Sequence, residues 1–336
     1  MQNWKLLVAA AGGVIVLAIV LGVGFGVSWG RSVPPLEKVT LAVYRGPDSA
    51  LIYDASSEGF FLREGLDVTL VPFDSGAEAI AAMLNGKADF STAADFVLVK
   101  NSFSRRELRV VASISRSDIH EVVARRDRSI SEPKDLRGKR VAYAAGSGSQ
   151  YYLSRFLVLN NLEQGSVETV PLKASELAGA VESGQVDAVA YWLPGAKQIR
   201  DQLGQNAVWW SAQVGQDTCV LLLTSKSVVD ARPSVIERLV RALAQAGEVE
   251  RTDPERVRAL VARETGLDQA ILAATWPGIR LGLTLDQALL MAFDAEAEWM
   301  LASGGLPQGT SAPNYLDLVY LQALDAVDTG AITIIR

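Results

Sequence analysis

The chain carries one supersecondary pattern twice, about a hundred residues apart, and this repetition constrains its fold more than any other feature. Val68-Thr69-Leu70-Val71-Pro72-Phe73 precedes a short helical pattern and then Gly86-Lys87-Ala88-Asp89-Phe90. Val167-Glu168-Thr169-Val170-Pro171-Leu172 precedes another, and then Gly184-Gln185-Val186-Asp187-Ala188. Upstream, 39–44 and 140–145 each read as a buried strand that runs into a loop of small residues. Each half therefore predicts β-loop-α-β-α-β, with mostly parallel sheets flanked by helices. Two lobes of this kind in one chain leave a cleft between them, which is where small molecules bind.

A chain of 336 residues is long enough for two such cores. Apolar residues at 49% and charged residues at 21% describe a globular protein. A net charge of −6 gives no electrostatic reason to expect nucleic acid. The basic clusters at Arg105, Arg106 and Arg109, and at Arg125, Arg126 and Arg128, read as solvated or partner-facing patches. The single cysteine, Cys219, has no intramolecular disulfide partner. It stands in an apolar strand pattern as a small hydrophobe.

The N-terminus sets the compartment. Leu6 to Trp29 is a run of 24 residues without a charge, long enough to span about 30 Å of hydrocarbon as a helix. A cleaved signal has an apolar core of only about 7–15 residues, and Gly26-Val27-Ser28 is a poor cleavage site. We read residues 1–31 as a membrane anchor or uncleaved signal and 32–37, with Pro34-Pro35, as a stiff linker. The globular part starts near Lys38. Residues 38–116 and 217–336 are expected to form one lobe and 117–216 the other, with crossings near 115–119 and 213–217.

Within the first lobe, Leu51 to Glu64 has helical spacing and ends at Gly65. Ser75-Gly76-Ala77-Glu78 is a capping box, and Gly86 closes the helix it opens. In the second lobe Ser175 is expected to cap a helix that ends at Gly184. Residues 233–304 read as mostly helical, with a break at Trp276-Pro277-Gly278.

The inventory of reactive groups is short. There is one histidine, His120, in a strand pattern near the expected hinge, and no G-x-S-x-G elbow to hold a nucleophilic serine. A metal site of histidines and cysteines needs several of them, so neither metal nor cofactor is expected. Gly146-Ser147-Gly148-Ser149 follows a strand and opens a helix, but Tyr151 occupies the third-glycine position of a dinucleotide fingerprint. The general reading is a helix N-terminus that binds an anion or an acidic oxygen, matched by Ser75-Gly76 on the facing lobe. Tyr44 and Tyr191-Trp192 end strands of the two lobes, either as a sandwich for an organic group or as ordinary core aromatics.

These residues resemble the periplasmic solute-binding proteins of the nitrate, aliphatic sulfonate, taurine and thiamine-precursor type, which feed ABC importers. The likeness rests on 58–68 (like G-x-F-x-x-x-G-L-D-V), on 135–141 leading into 146–149, and on 184–188 (like G-x-V-D-A). It implies an α/β two-lobe, two-crossover fold that closes on a small organic or anionic ligand and docks an ABC permease. The globular part would face the periplasm or the extracellular side, tethered to the cytoplasmic membrane. It also implies a ligand site made of Tyr44, Ser49, Ser75, Gly76, Thr92, Ala93, Ala94, Asp95, Ser115, Gly146, Ser147, Gly148, Ser149, Tyr191 and Trp192. Asp95 would put a carboxylate in that pocket, which leaves an amine, a pyrimidine-like ring or a zwitterion open beside an anion. Two alternatives stand beside the transport reading. One is a receptor module for a signalling partner. The other is an enzyme like the thiamine-pyrimidine synthases, which would require more histidine and cysteine than this sequence has.

Overall fold

A computed structural model describes residues 35–335. The apolar run Leu6–Trp29 lies outside the described residues; among them, no helix is long and apolar enough to cross a membrane.

Two sheets carry the fold. Seven strands take the order β12-β11-β4-β10-β3-β1-β2: β1 (Glu37–Tyr44), β2 (Leu66–Phe73), β3 (Phe90–Ala94), β4 (Leu108–Ser117), β10 (Thr218–Ser225), β11 (Ile279–Asp286) and β12 (Ile332–Thr333). Five take the order β7-β6-β8-β5-β9: β5 (His120–Arg125), β6 (Arg140–Ala144), β7 (Glu168–Leu172), β8 (Ala188–Trp192) and β9 (Ala207–Ser211).

The sequence repeat is a repeat of pairing. β1 runs parallel to β2, with Val39 opposite Val68, and β6 runs parallel to β7, with Val141 opposite Thr169. The repeated aspartate has one task in both lobes. Asp89 Oδ2 accepts the Thr40 amide at 2.8 Å and Asp187 Oδ2 accepts the Arg140 amide at 2.9 Å. Each carboxylate thus pins the loop before the third strand to the first strand of its sheet. At Asp187, burial pushes the carboxyl up, but the amide and guanidinium of Arg140 outweigh it and hold the group below the ordinary range.

The sheets are mixed, not mostly parallel. β10 is antiparallel to β3 and β4, and β5 is antiparallel to β8 and β9. The reason is geometric. β3 and β8 end beside the inter-sheet cavity described below, whereas β10 and β5 are the strands that enter after each crossing and start there. They must run the opposite way.

Only Asp118 and Ile119 separate β4 from β5, and residues 212–217 separate β9 from β10. One side chain ties both connections together. Gln213 Oε1 accepts the amides of Ile119 (2.6 Å) and His120 (2.8 Å), while its Nε2 donates to the carbonyls of Ser117 and Gln216.

Other local expectations are corrected. The helix expected over 51–64 is two, Ala50–Ser57 and Phe60–Arg63, because Gly59 takes a left-handed φ of 69° between them. Ser175 does not cap a helix: it lies inside a 3-10 turn, Ala174–Glu176, in which Glu176 reaches back to the Lys173 amide. The stretch 233–304 is mostly helical with the expected break at Trp276-Pro277-Gly278, but that break leads into a strand, β11, that was not expected.

The apolar faces pack into one large core on the seven-stranded sheet, a small cluster of Ala42, Ala79 and Ala82 on the same sheet, and two cores around the five-stranded sheet. Each fully buried Leu, Ile or Phe contributes about 1.5–3 kcal/mol. Phe96 follows β3 but packs with Tyr151 and Tyr152 of the helix Gly148–Leu159. Trp299, from the helix Gln287–Ala302, joins this cluster 5.7 Å from Phe96 and donates Nε1 to Ser154 Oγ at 2.8 Å. The two sheets are therefore held by side-chain packing as well as by the crossings.

Candidate ligand-binding site

A small cavity of about 50 Å³ lies between the two sheets, several times the space one water requires. Tyr44, Ser75, Gly76 and Ala94 line it from the seven-stranded side, and Ser147, Gly148 and Trp192 from the other.

Tyr44 ends β1, and three neighbours fix its place. Its amide donates to Thr92 Oγ1 at 2.7 Å, and its carbonyl accepts Ser49 Oγ at 2.8 Å and Tyr53 Oη at 3.3 Å. Its ring lies over Gly46, where a Cβ would sit 2.2 Å from a ring carbon, so any larger residue would displace the phenol. Trp192 ends β8, and its Nε1 donates to Tyr44 Oη at 2.8 Å, which closes the cavity on one side. Tyr191 packs edge-on to Trp192 with ring centroids 4.5 Å apart.

Both helix N-termini are present. Ser75 Oγ accepts the Glu78 amide at 3.3 Å, and Ser147 Oγ accepts the Ser149 amide at 3.2 Å. Ser147 also donates to the Ala144 carbonyl, so its hydroxyl is satisfied within its own loop. Gly76 is required by close approach: a Cβ there would lie 2.8 Å from Ala93 Cα. Gly146 turns the chain with φ 77°, and the Lys100 ammonium lies beside it, outside the cavity lining.

The remaining sequence-predicted residues stand behind this lining. Ser49, Thr92 and Ala93 support Tyr44 and Gly76 as described, and Tyr191 supports Trp192. Ser149 is fully buried and not in the lining. Asp95 is also off the lining. Its Oδ1 accepts the Phe96 amide and its Oδ2 the Cys219 amide, which staples β3 to β10, and burial raises its pKa to about 7. The carboxylate that does face the cavity is Asp48, fully buried on the turn Pro47–Ser49. Ser115, from β4, donates to Asp48 Oδ1 at 3.1 Å, and Oδ2 has no hydrogen-bond partner among the described residues. Burial pushes the Asp48 carboxyl up.

Sequence reasoning missed the polar Asp48, His120 and Thr218 in the lining, and the apolar Ala77, Val97, Ile119 and Val220 beside them. His120 and Thr218 are the first residues of β5 and β10, the two strands that follow the crossings. The signal was present, because a strand that starts at a crossing puts its first side chain in the cleft. His120 is 5% exposed, stacks 4.3 Å from Tyr152, and is held to a pKa of about 4 by burial. It is therefore neutral at physiological pH.

Its tautomer follows from Gln213. The four backbone hydrogen bonds to that amide fix which atom is oxygen, and Nδ1 of His120 lies 3.1 Å from it. The Thr218 hydroxyl, 3.3 Å from the same nitrogen, donates to Tyr152, so Nδ1 carries the proton and Nε2 is left as an acceptor. Nε2 faces Gly148, at 3.5 Å from the position of a Cβ there.

Two sheets joined by two short crossings, with a lined cavity between them, define the α/β two-lobe periplasmic-binding-protein fold. The chain belongs to the NMT1/THI5-like family, whose model matches residues 46–257. It is 24% identical over 221 residues to the taurine-binding periplasmic protein of Escherichia coli (strain K12), covering 65% of this chain and 68% of that protein. It is 22% identical over 234 residues to the 4-amino-5-hydroxymethyl-2-methylpyrimidine phosphate synthase of Aspergillus parasiticus, covering 65% and 68%. Among solved structures, the alkanesulfonate-binding protein SsuA from Xanthomonas axonopodis pv. citri, bound to MOPS, aligns with a TM-score of 0.72 at 20% identity, over 85% of this chain and 99% of that one.

Proposed function

We propose that this chain is an extracytoplasmic solute-binding protein, tethered to the membrane by its N-terminal apolar run, that captures a small solute between its sheets and delivers it to an ABC permease. The observation that carries the reading is the Trp192–Tyr44 hydrogen bond, which joins strand ends of the two sheets across the rim of the cavity. A solute enclosed by both sheets would stabilise this closed arrangement, and a permease that docks only the closed form would receive loaded protein. The names of the taurine-binding and alkanesulfonate-binding relatives support the same role.

The side chains favour binding over catalysis. His120 leans on an amide rather than a carboxylate, so no acid raises its basicity. Burial pushes the Cys219 thiol well up, away from the thiolate a nucleophile needs.

The test is a thermal-shift screen of the full chain in mild detergent against taurine, alkanesulfonates, nitrate, primary amines and pyrimidines. A ligand that binds only the folded form adds about 2.7 kcal/mol at a hundredfold excess over Kd. At least one compound should raise the melting temperature of the wild type and not of Trp192→Ala. A panel without any shift would contradict the reading.

A further inference from the structure

We propose that the cavity recognises its solute by a protonated amine, held between Asp48 and His120. The inference rests on the solute-binding reading and names the chemistry of that site.

Three observations point to it. First, Asp48 is a fully buried carboxylate in the lining with Oδ2 unpartnered, and no arginine or lysine among the described residues forms an ion pair with it. A buried carboxylate without a counter-charge calls for a cation or a proton. Second, Nε2 of His120 is a lone-pair acceptor, because Gln213 takes the Nδ1 proton. Third, the lining holds no arginine or lysine: of its neutral side-chain donors the Trp192 N–H goes to Tyr44 and the Ser147 O–H to the Ala144 carbonyl, and the hydroxyl protons of Tyr44 and Ser75 remain.

An ammonium group carries three donors and a positive charge, which matches a carboxylate and a bare imidazole nitrogen. A sulfonate or nitrate brings three acceptor oxygens and a negative charge, which would face a carboxylate and a second acceptor. The backbone amides where the helices Gly76–Leu84 and Gly148–Leu159 begin remain for an oxygen-bearing end of the same solute.

Three compounds of one size separate these chemistries. Ethanolamine carries the ammonium alone, isethionate the sulfonate alone, and taurine both. Calorimetric titration of the full chain in detergent should give binding of ethanolamine and taurine, with isethionate at least tenfold weaker than taurine. Asp48→Asn should weaken taurine tenfold or more and leave isethionate unchanged or tighter. Isethionate that binds as tightly as taurine to the wild type would overturn the ammonium assignment while leaving the solute-binding reading intact. This comparison needs no variant, so it stands even if Asp48→Asn fails to fold. Binding of none of the three would overturn the ammonium assignment, and the solute-binding reading would then stand or fall on the wider thermal-shift panel.

Discussion

The indole Nε1 of Trp192 donates a hydrogen bond to the phenol oxygen of Tyr44 at 2.8 Å, with the two rings nearly perpendicular at 78°. The two residues are 148 positions apart in sequence and end strands of different sheets. The contact therefore exists only when the sheets are closed on each other. Its net worth is that of one partly buried hydrogen bond, about 0.5–1.5 kcal/mol. That is enough to bias a hinge and too little to lock it.

Tyr44→Phe removes the acceptor and leaves the indole N–H unpaired. Affinity for the solute should fall by about two- to tenfold, the equivalent of that free energy. Calorimetric titration of the variant and the wild type with the same compound checks this. Equal affinities would exclude the bridge from closure.

Asp187 carries a pH signature. Its folded carboxyl sits below the ordinary range, so its contribution is fully present above the unfolded value, about 3.9, and is lost as pH falls through the folded value. Asp187→Asn should cost about 1–3 kcal/mol at pH 7 and less at pH 3. Urea denaturation at the two pH values measures the difference.

Glu296 has the opposite sign. It is fully buried on the helix Gln287–Ala302 with neither carboxylate oxygen hydrogen-bonded among the described residues, and burial with the nearby Asp95 holds its pKa well up. A group that is easier to protonate when folded loses stability as pH rises above the unfolded value, about 4.3. Glu296→Met should raise the melting temperature, and by more at pH 8 than at pH 5. A variant less stable than the wild type at pH 8 would contradict this account of the site.

Gly76→Ala tests the close approach of a helix to β3. The added methyl would meet Ala93 Cα at 2.8 Å, so the helix must move, at a cost of about 1–3 kcal/mol. Thermal melts should show this loss, whereas Gly86→Asn, at a left-handed position with open space around it, should be nearly neutral.

Much of the frame was legible in the sequence because local signals and tertiary pairing agree. The repeated Gly-x-x-Asp marks a turn glycine and an aspartate that stitches the same two strands in each lobe, so the repeat has a physical cause. The mixed sheets were not legible, because strand direction depends on which end of the sheet the chain enters, and β5 and β10 arrive from the other lobe. β11 was within reach: Ile279, Leu281, Leu283 and Leu285 alternate with period two, but the helical stretch around them obscured it.

At the site, the loops that open helices and the terminal aromatics lie where the pattern placed them. Asp48, and not the expected Asp95, faces the cavity for a reason no spacing reveals. The backbone amides of Phe96 and Cys219 take up Asp95, while Asp48, on a turn of three residues, keeps an oxygen free.

The most direct measurement is the distance between the lobes. Glu78 and Ser175 are both exposed, and each lies just beyond the end of a strand, β2 and β7, on opposite lobes. With Cys219 replaced by alanine, spin labels on cysteines at positions 78 and 175 report closure by pulsed dipolar spectroscopy. We predict a broad distribution in the free protein that becomes shorter and narrower with the compound that most stabilises the chain. An unchanged distribution at saturation would contradict closure around a solute.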